Sequence, residues 1–346
     1  MIKNFRCLED LTIQKLGHVN LIVGANNSGK STILEALRIY AGELADFRLF
    51  FDLLSARDEF IPSHWSAQTH IVQSYQDHPA RSLFTNRAIE KNKKIEIGDI
   101  NSLQNGVIVE GEFEHLGEFY VGLKVVSKYN GLERSTAGIS LLHLGSYVGD
   151  KKATSPYKDG YVSSQLPSTD DQMALFAEIN REYGDNQILT DALKIIEPRI
   201  INVFFDPIDQ ICFVKHQDFQ KTIPLKTLGE GMMRILQLAL FIPRAQKTGF
   251  LLIDEFENGL YWRTQSKIWE FLFEIAKRYN IQIFATTHSK DTINSFAKIA
   301  LSRKDMEGVL ISLDRSAAKK DNNKIIAIEY DEESLANIIE DNIEVR

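Results

Sequence analysis

The run GANNSGKS, Gly24 to Ser31, spaces two glycines, a lysine and a hydroxyl as a phosphate-holding loop does. Glycine lets the backbone turn tightly, so that several N–H groups and a helix N-terminus point at one anion. Gly24 and Gly29 hold that spacing, and Asn26, Asn27 and Ser28 between them tolerate tight or left-handed turns. Lys30 is then expected to reach the β and γ phosphates and Ser31 to offer its hydroxyl to a magnesium ion, with Ala25 and Thr32 in the same binding stretch. A glycine-rich turn without a ligand is the bland alternative, and the strand and helix patterns on either side weigh against it.

Two further groups of residues have the chemistry to complete such a site. FLLIDE ends an apolar run in Asp254 and Glu255, placing both acids where ligands bind in parallel α/β sheets. Asp254 is expected to hold the metal through its water shell, and Glu255 to act as general base on an attacking water. Many strands end in acids, so the pair gains its meaning from the phosphate loop in the same chain. IQIFATTHS ends a second apolar run in Thr286, Thr287 and His288, where a neutral imidazole can sense the γ phosphate or orient the water. A histidine there could equally be a satisfied structural residue; its order after the Asp-Glu pair favours the functional role. LKTLGEGMMRIL sets Gly229 and Gly231 at the start of an amphipathic helix, a second anion-binding element in a chain whose first is already used. The economical inference is that it serves another subunit's nucleotide.

These residues need elements to hold them. His18 to Val23 reads as a strand and Lys30 to Ala41 as a helix with Ile33, Leu34, Leu37 and Ala41 on one face. Residues 46–94 lack strand rhythm and read as a mostly helical insertion. From Ile97 to about Leu144, β-branched runs between glycine turns read as antiparallel β structure, with Ile139 to Leu144 the last strand. Helical patterning returns over about 170–198, expected to form a lid segment. Beyond it, strands are expected at Ile201–Phe205, Gln210–Val214, Phe250–Ile253 and Ile281–Ala285, with amphipathic helices between them. The fold class predicted is α/β: a P-loop domain with a mixed or parallel sheet, flanking helices and an antiparallel β subdomain. One discontinuous domain is expected over 1–346, with its core in 1–45 and about 95–346.

Composition narrows the function classes. The chain has 346 residues, 44% of them apolar, enough to fill the core of one large domain or two modest ones. A net charge of −7 argues against indiscriminate coating of nucleic acid, although Lys91, Lys93, Lys94 and the run Lys319, Lys320, Lys324 could form local patches. Two cysteines, Cys7 and Cys212, build neither a disulfide framework nor a zinc cluster, so a reducing cytoplasm is expected. No apolar run is long enough for a bilayer crossing or a signal-peptide core.

The motifs in this order resemble the ABC-type ATPase heads of the RecF, SMC and OLD-like families, and above all the single-chain "AAA family" ATPases grouped with the OLD ATPases of bacterial antiphage and mobile-element operons. NFRCLEDLTI, NLIVGANNSGKSTILEAL, TLGEGMMRIL, LLIDEFENGLYW and QIFATTHSKD carry the likeness, over the first 45 residues and most of the chain after about 195. The resemblance implies that Gly24 to Ser31 is the Walker A motif, Asp254 and Glu255 Walker B, and His288 the switch histidine. Thr227, Gly229 and Glu230 then match the signature motif, and Glu257, Asn258 and Gly259 the D-loop. Asn4 and Arg6 fall where related heads contact nucleotide, and Gln165, after a strand at Gly160 to Ser164, is the candidate Q-loop ligand to the metal.

The cofactors implied are ATP and Mg2+, and the partner is a second copy of the chain in a homodimer or higher oligomer. The signature is not the LSGGQ of transporters, and no coiled-coil arm separates the halves, so transport and chromosome tethering are disfavoured. A guanine-specific NKxD motif is absent from the sequence. The stretch after His288 is short and has no acidic strand-end cluster, so the nuclease domain of full-length OLD proteins is not expected. The function expected is an ATP-driven switch that controls a separate nuclease or toxin, in defence against phage or foreign DNA, with DNA as a further partner and no membrane. The alternative is an ATP-stabilised scaffold that sequesters a partner with little turnover; a DNA-repair ATPase is a lesser one.

Overall fold

The computed structural model describes residues 1–42, 47–60, 79–90, 92–100, 103–116, 118–140, 159–318, 321, 323–330 and 334–337. The end of the strand expected to reach Leu144, the middle of the 46–94 insertion, Lys91, Lys319, Lys320 and the last residues of the chain lie outside them. The chain divides into two compact units: the first takes residues 1–14, 27–158 and 314–327, the second 15–26, 159–313 and 328–346. These bounds differ from those expected of one discontinuous domain, and residues 47–60 and 79–90 of the expected insertion fall within the first unit.

The first unit is built on an antiparallel sheet of six strands in the order β2-β1-β4-β5-β6-β7. Its strands are β1 (Ile2–Phe5), β2 (Leu8–Leu11), β4 (Ile95–Gly98), β5 (Gly106–Leu116), β6 (Glu118–Tyr129) and β7 (Leu132–Ser140). Ile2, Phe5, Leu8 and Leu11 are all buried, which fixes the register of the first hairpin, Phe5 opposite Leu8. Tyr129 pairs with Leu132 across Asn130-Gly131, both at positive φ (51° and 78°), the two-residue turn whose twist suits a hairpin. Helix α1 (Lys30–Ala41) buries Ile33, Leu34, Ala36 and Ile39, and α2 (Phe47–Ser55) buries Leu49, Phe50, Leu53 and Leu54. After α2 the described residues 79–83 and 85–87 form short 3-10 turns rather than further α-helix.

The second unit is organised by a parallel sheet. Strand β3 (Val19–Gly24) lies between β13 (Gln282–Thr286) and β14 (Gly308–Arg315), and β12 (Phe250–Ile253) lies between β13 and the two-residue β8 (Tyr161–Val162). β15 (Ile325–Tyr330) follows β14 at the edge of the sheet. All six positions of β3 are buried, as a parallel strand covered on both faces requires. Its one polar residue, Asn20, accepts the Gly17 N–H (2.8 Å) and donates to the Gly17 and Ile283 carbonyls.

Helices α3 (Thr169–Tyr183), α4 (Gln187–Lys194), α5 (Glu230–Leu240), α6 (Ile242–Thr248), α7 (Trp262–Tyr279) and α8 (Lys290–Ser302) belong to this unit. Ser168 and Ser289 cap α3 and α8 through the Asp171 and Thr292 N–H groups, and Gly184 and Asn280 end α3 and α7 in the left-handed conformation. A small antiparallel sheet, β11-β10-β9 (Ile223–Pro224, Ile211–His216, Ile200–Asp206), leads into α5. The strands and helices expected after residue 160 are all present, with β8 shorter than the expected Gly160 to Ser164. Among the described residues no helix is long and apolar enough to cross a membrane.

Candidate nucleotide site

In the second unit the carboxyl ends of three adjacent parallel strands lie side by side. Ile253 is in register with Ala285, Ala285 with Leu21 and Thr286 with Ile22, so Gly24, Asp254 and the Thr286–His288 segment share one end of the sheet. Gly24 leaves β3 at φ 148°, and the three residues after it are exposed.

The acids at the end of β12 are held by the strand beside them. The Thr286 hydroxyl donates to Asp254 Oδ1 (2.6 Å) and accepts from the Glu255 N–H (2.9 Å), and the Tyr161 hydroxyl reaches Asp254 Oδ2 at 3.4 Å. Glu255 is exposed and sits at φ 48°, in the left-handed region that a residue with a side chain occupies only when its surroundings hold it there. Phe256, fully buried and stacked on Trp269 with ring centroids 4.0 Å apart, anchors the chain on its other side. Glu257 then accepts the Thr287 hydroxyl (2.7 Å) and the His288 N–H (3.1 Å), and its Oε1 lies 3.0 Å from His288 Nδ1. A carboxylate on Nδ1 keeps the proton there and leaves Nε2 as the acceptor.

The glycine turn before α5 is open. Gly229 is exposed at φ 103°, and a Cβ added there meets nothing within 4 Å. Thr227 is exposed, its hydroxyl on the Pro224 carbonyl, and Glu230 packs beside Gly259 (φ 72°). Asn258 donates to the Ser164 carbonyl at 2.6 Å, tying the segment after the acid pair to the end of β8. Gln165, one residue further, is exposed, and its carbonyl accepts from Ser163 Oγ and Gln237 Nε2.

Sequence reasoning missed Arg234. Its guanidinium is buried and donates to the carbonyls of Asp254 (2.7 Å), Glu255 (3.0 Å) and Ser163 (2.6 Å) and to Gln237 Oε1 (2.7 Å). Burial pulls its pKa down to about 10, with the carboxylates of Asp254, Glu257 and Glu255 acting in the opposite sense. The signal was an Arg and a Gln three apart inside a helix buried on nearly every side. Glu257 as the partner of His288, and Thr286 as the bridge between the acids, were also missed; their partners are about thirty residues away in sequence.

Asn27 to Ser31 of the phosphate-loop motif belong to the first unit. Asn27 and Gly29 have φ 62° and 94°, Gly29 packs against Leu8, Cys7 and Ile325, and the Ile33 N–H returns to the Gly29 carbonyl as α1 begins. Ser28 and Thr32 are buried, Lys30 and Ser31 half-buried at the start of the helix. Thr32 Oγ1 accepts from Arg57 Nη2 at 3.3 Å and lies 3.7 Å from Cys7 Sγ.

Arg6 and Asn4, expected beside nucleotide, have protein partners within the first unit. Arg6, in the β1–β2 turn, is buried with Nη1 on Glu59 (2.7 Å), Nη2 on the Leu53 carbonyl and Nε 2.6 Å from Glu35. The last approach is a charge contact rather than a directed hydrogen bond, since Nε and Glu35 Oε2 both lack one. Asn4 spends its amide on the Lys94 carbonyl. Both side chains hold the first unit together.

Among the described residues no group of three or more His, Cys, Asp and Glu gathers to hold a metal ion. Ser31, Asp254 and Gln165 are hard oxygen donors and few in number. Oxygen donors of this kind are what a magnesium ion takes, most of its ligands staying water and substrate phosphate oxygens.

Two family models match the chain: "AAA ATPase domain" over residues 1–108 and "AAA domain, putative AbiEii toxin, Type IV TA system" over residues 164–294. An "ATP/GTP phosphatase" of Helicobacter pylori is 22% identical over 84% of this chain and 85% of its own. An "OLD nuclease" of Thermus scotoductus is 25% identical over 92% of this chain, which spans 64% of that nuclease's length. Among solved structures, an SMC head bound to the C-winged helix domain of ScpA superposes with a TM-score of 0.50 at 13% identity, over 97% of this chain and 98% of that one, a likeness of fold. One AAA model spans the start of the phosphate-loop half and the other the Asp-Glu half, on the fold of an ABC-type P-loop ATPase head: the chain is an ATPase that is similar to the OLD-like AAA ATPases.

Proposed function

We propose that the chain is an ATP-driven switch in which two copies sandwich two nucleotides, each held by one copy's phosphate loop and the other's glycine turn. The observation that carries this reading is the glycine turn itself: Gly229 is exposed, at positive φ, at the start of an eleven-residue helix, with open space where a side chain would stand. A turn so shaped presents N–H groups to an anion, and its own chain already devotes Gly24 to Ser31 to phosphate. Ala25 to Thr32 cradle the triphosphate and Lys30 neutralises its β and γ oxygens. Ser31, Asp254 and Gln165 hold magnesium, which when bound neutralises charge on those oxygens. Glu255 takes the proton from the attacking water, and His288, oriented by Glu257 with Nε2 as the acceptor, holds that water. Thr227, Gly229 and Glu230 close over the neighbour's nucleotide.

Hydrolysis opens the pair and passes the change to a separate effector, a nuclease or toxin, in defence against phage or foreign DNA. The names of the OLD nuclease relative and of the toxin–antitoxin family model support this second half. The SMC head bound to ScpA supports a head of this fold acting through a partner protein. Turnover and nucleotide binding by purified Lys30→Ala and Glu255→Gln test the site: Lys30→Ala is expected to lose ATP binding, and Glu255→Gln to bind ATP without hydrolysing it. Wild-type hydrolysis by both variants would overturn the assignment.

A further inference from the structure

The helix that follows the glycine turn carries a polar clamp on the hydrolytic end of the sheet. One turn into α5, Arg234 places Nη2 on two consecutive carbonyls, those of Asp254 (2.7 Å) and Glu255 (3.0 Å), while Nη1 takes the Ser163 carbonyl (2.6 Å) and Gln237 Oε1 (2.7 Å). Gln237, one turn further along, completes the clamp by donating to the carbonyls of Gln165 (2.8 Å) and Ser163 (3.2 Å). The carbonyls gripped are those of the two acids and of the loop that carries Gln165. A buried guanidinium that spends its Nη donors on neutral oxygens is an expensive way to hold a fold, because the carboxylates of Asp254, Glu257 and Glu255 act on it through space and leave burial dominant. An apolar side chain would pack this helix at lower cost, so a specific geometry is the more natural reason for the arginine. The geometry in need of holding is next to it: Glu255 at φ 48°. Its N–H is fixed by Thr286 and its carbonyl by Arg234, one bond on each side of the strained residue.

We propose that Arg234 and Gln237 are positioning residues for hydrolysis, holding Glu255 and the Gln165 loop in register through their main-chain carbonyls and joining both to the helix of the glycine turn. This rests on Glu255 as the general base. The clamp touches no nucleotide, so its loss lowers the rate of the chemical step and spares ground-state binding.

The test uses the full chain with Arg234→Lys, whose single ammonium cannot span the four acceptors, and Gln237→Leu, which leaves Arg234 on the two acid carbonyls. Binding of a fluorescent ATP analogue, single-turnover hydrolysis and thermal melting are measured on each. Arg234→Lys is expected to lower kcat by about tenfold or more, a misplaced reacting group being enough for that, with KM and nucleotide Kd within about twofold of wild type. Gln237→Leu is expected to lose roughly threefold or more in kcat by the same reasoning. Combined with Glu255→Gln, Arg234→Lys is expected to add no further loss, as for residues that act as a unit. Unchanged kcat in a folded Arg234→Lys protein beside an inactive Glu255→Gln protein would overturn the clamp alone, as would an equal loss of kcat and nucleotide affinity. Normal turnover by Glu255→Gln would instead remove the general base and the clamp with it. If Arg234→Lys does not fold, Gln237→Leu decides, and unchanged single-turnover hydrolysis in that variant overturns the proposal.

Discussion

Thr286 shows how much a single hydroxyl can carry at this end of the sheet. It donates to Asp254 Oδ1 and accepts from the Glu255 N–H, so one atom sets the rotamer of the first acid and the backbone of the second. Thr286→Val keeps the β-branched shape and removes both bonds, leaving a part-buried N–H and a part-buried carboxylate oxygen without their partner. Thermal melting is expected to show a loss of about 1–3 kcal/mol, the cost of such an unpaired group, and steady-state turnover a fall of about tenfold with KM little changed. Wild-type turnover in a folded Thr286→Val protein would separate the hydroxyl from the chemistry. His288 is held in a similar way, by Glu257 on Nδ1. Glu257→Gln preserves size and removes the carboxylate that accepts from Thr287 and the His288 N–H and lies against Nδ1, so single-turnover hydrolysis is expected to fall by about tenfold with nucleotide Kd little changed. Wild-type hydrolysis in a folded Glu257→Gln protein would show that His288 is not oriented from Glu257.

At the scale of elements, the helix pair α3 and α6 is joined by a buried ion pair, Arg244 Nε to Glu178 Oε2 at 3.0 Å, with Lys247 on the other oxygen. Burial alone would raise the Glu178 pKa; the hydrogen bonds from Arg244 and Lys247 outweigh it, and the net shift is downward from 4.5. A carboxyl whose folded pKa lies below its unfolded value stabilises the fold above the unfolded value, and that stability is lost as pH falls through the folded one. Urea unfolding of wild type from pH 7 downward is therefore expected to lose stability below about 4.5, more steeply than Glu178→Gln does. At neutral pH Glu178→Ala, which strands Arg244, is expected to cost about 3–5 kcal/mol. Gly160 tests the placement of β8: an added Cβ would stand 2.2 Å from the Phe250 carbonyl oxygen. Gly160→Ala is expected to destabilise by about 1–3 kcal/mol and to displace the Gln165 loop, read as a lowered melting temperature and a lowered kcat.

The elements were legible in the sequence to the extent that their signals are local. Gly24 to Ser31 announces itself because one loop holds all its residues, and FLLIDE and IQIFATTHS because a buried parallel strand is a short apolar run with a polar end. Arg234 was silent because its partners are carbonyls 20 and 71 residues distant, and a carbonyl has no residue type to read. The partners of Arg6 were silent for a related reason: Glu35 and Glu59 claim its guanidinium, and nothing in NFR foretells either.

At the scale of the whole molecule, the proposed switch ties hydrolysis to assembly, because in it the phosphate loop and the glycine turn of one copy serve different nucleotides. On that proposal Glu255→Gln is the state in which the link is visible, since a chain that binds ATP without turning it over is expected to accumulate the closed form. Gly229→Asp places a side chain in the open space of the turn and a negative charge against phosphate, leaving Lys30 and Ser31 untouched. The decisive measurement is the solution mass of Glu255→Gln, with and without ATP, beside the same protein carrying Gly229→Asp, with bound nucleotide quantified in each. Sharing of nucleotide between copies requires that ATP double the mass of Glu255→Gln, and that Gly229→Asp abolish the doubling while ATP stays bound. A nucleotide-loaded Glu255→Gln protein that remains a monomer, or a Gly229→Asp variant that still doubles, would contradict it.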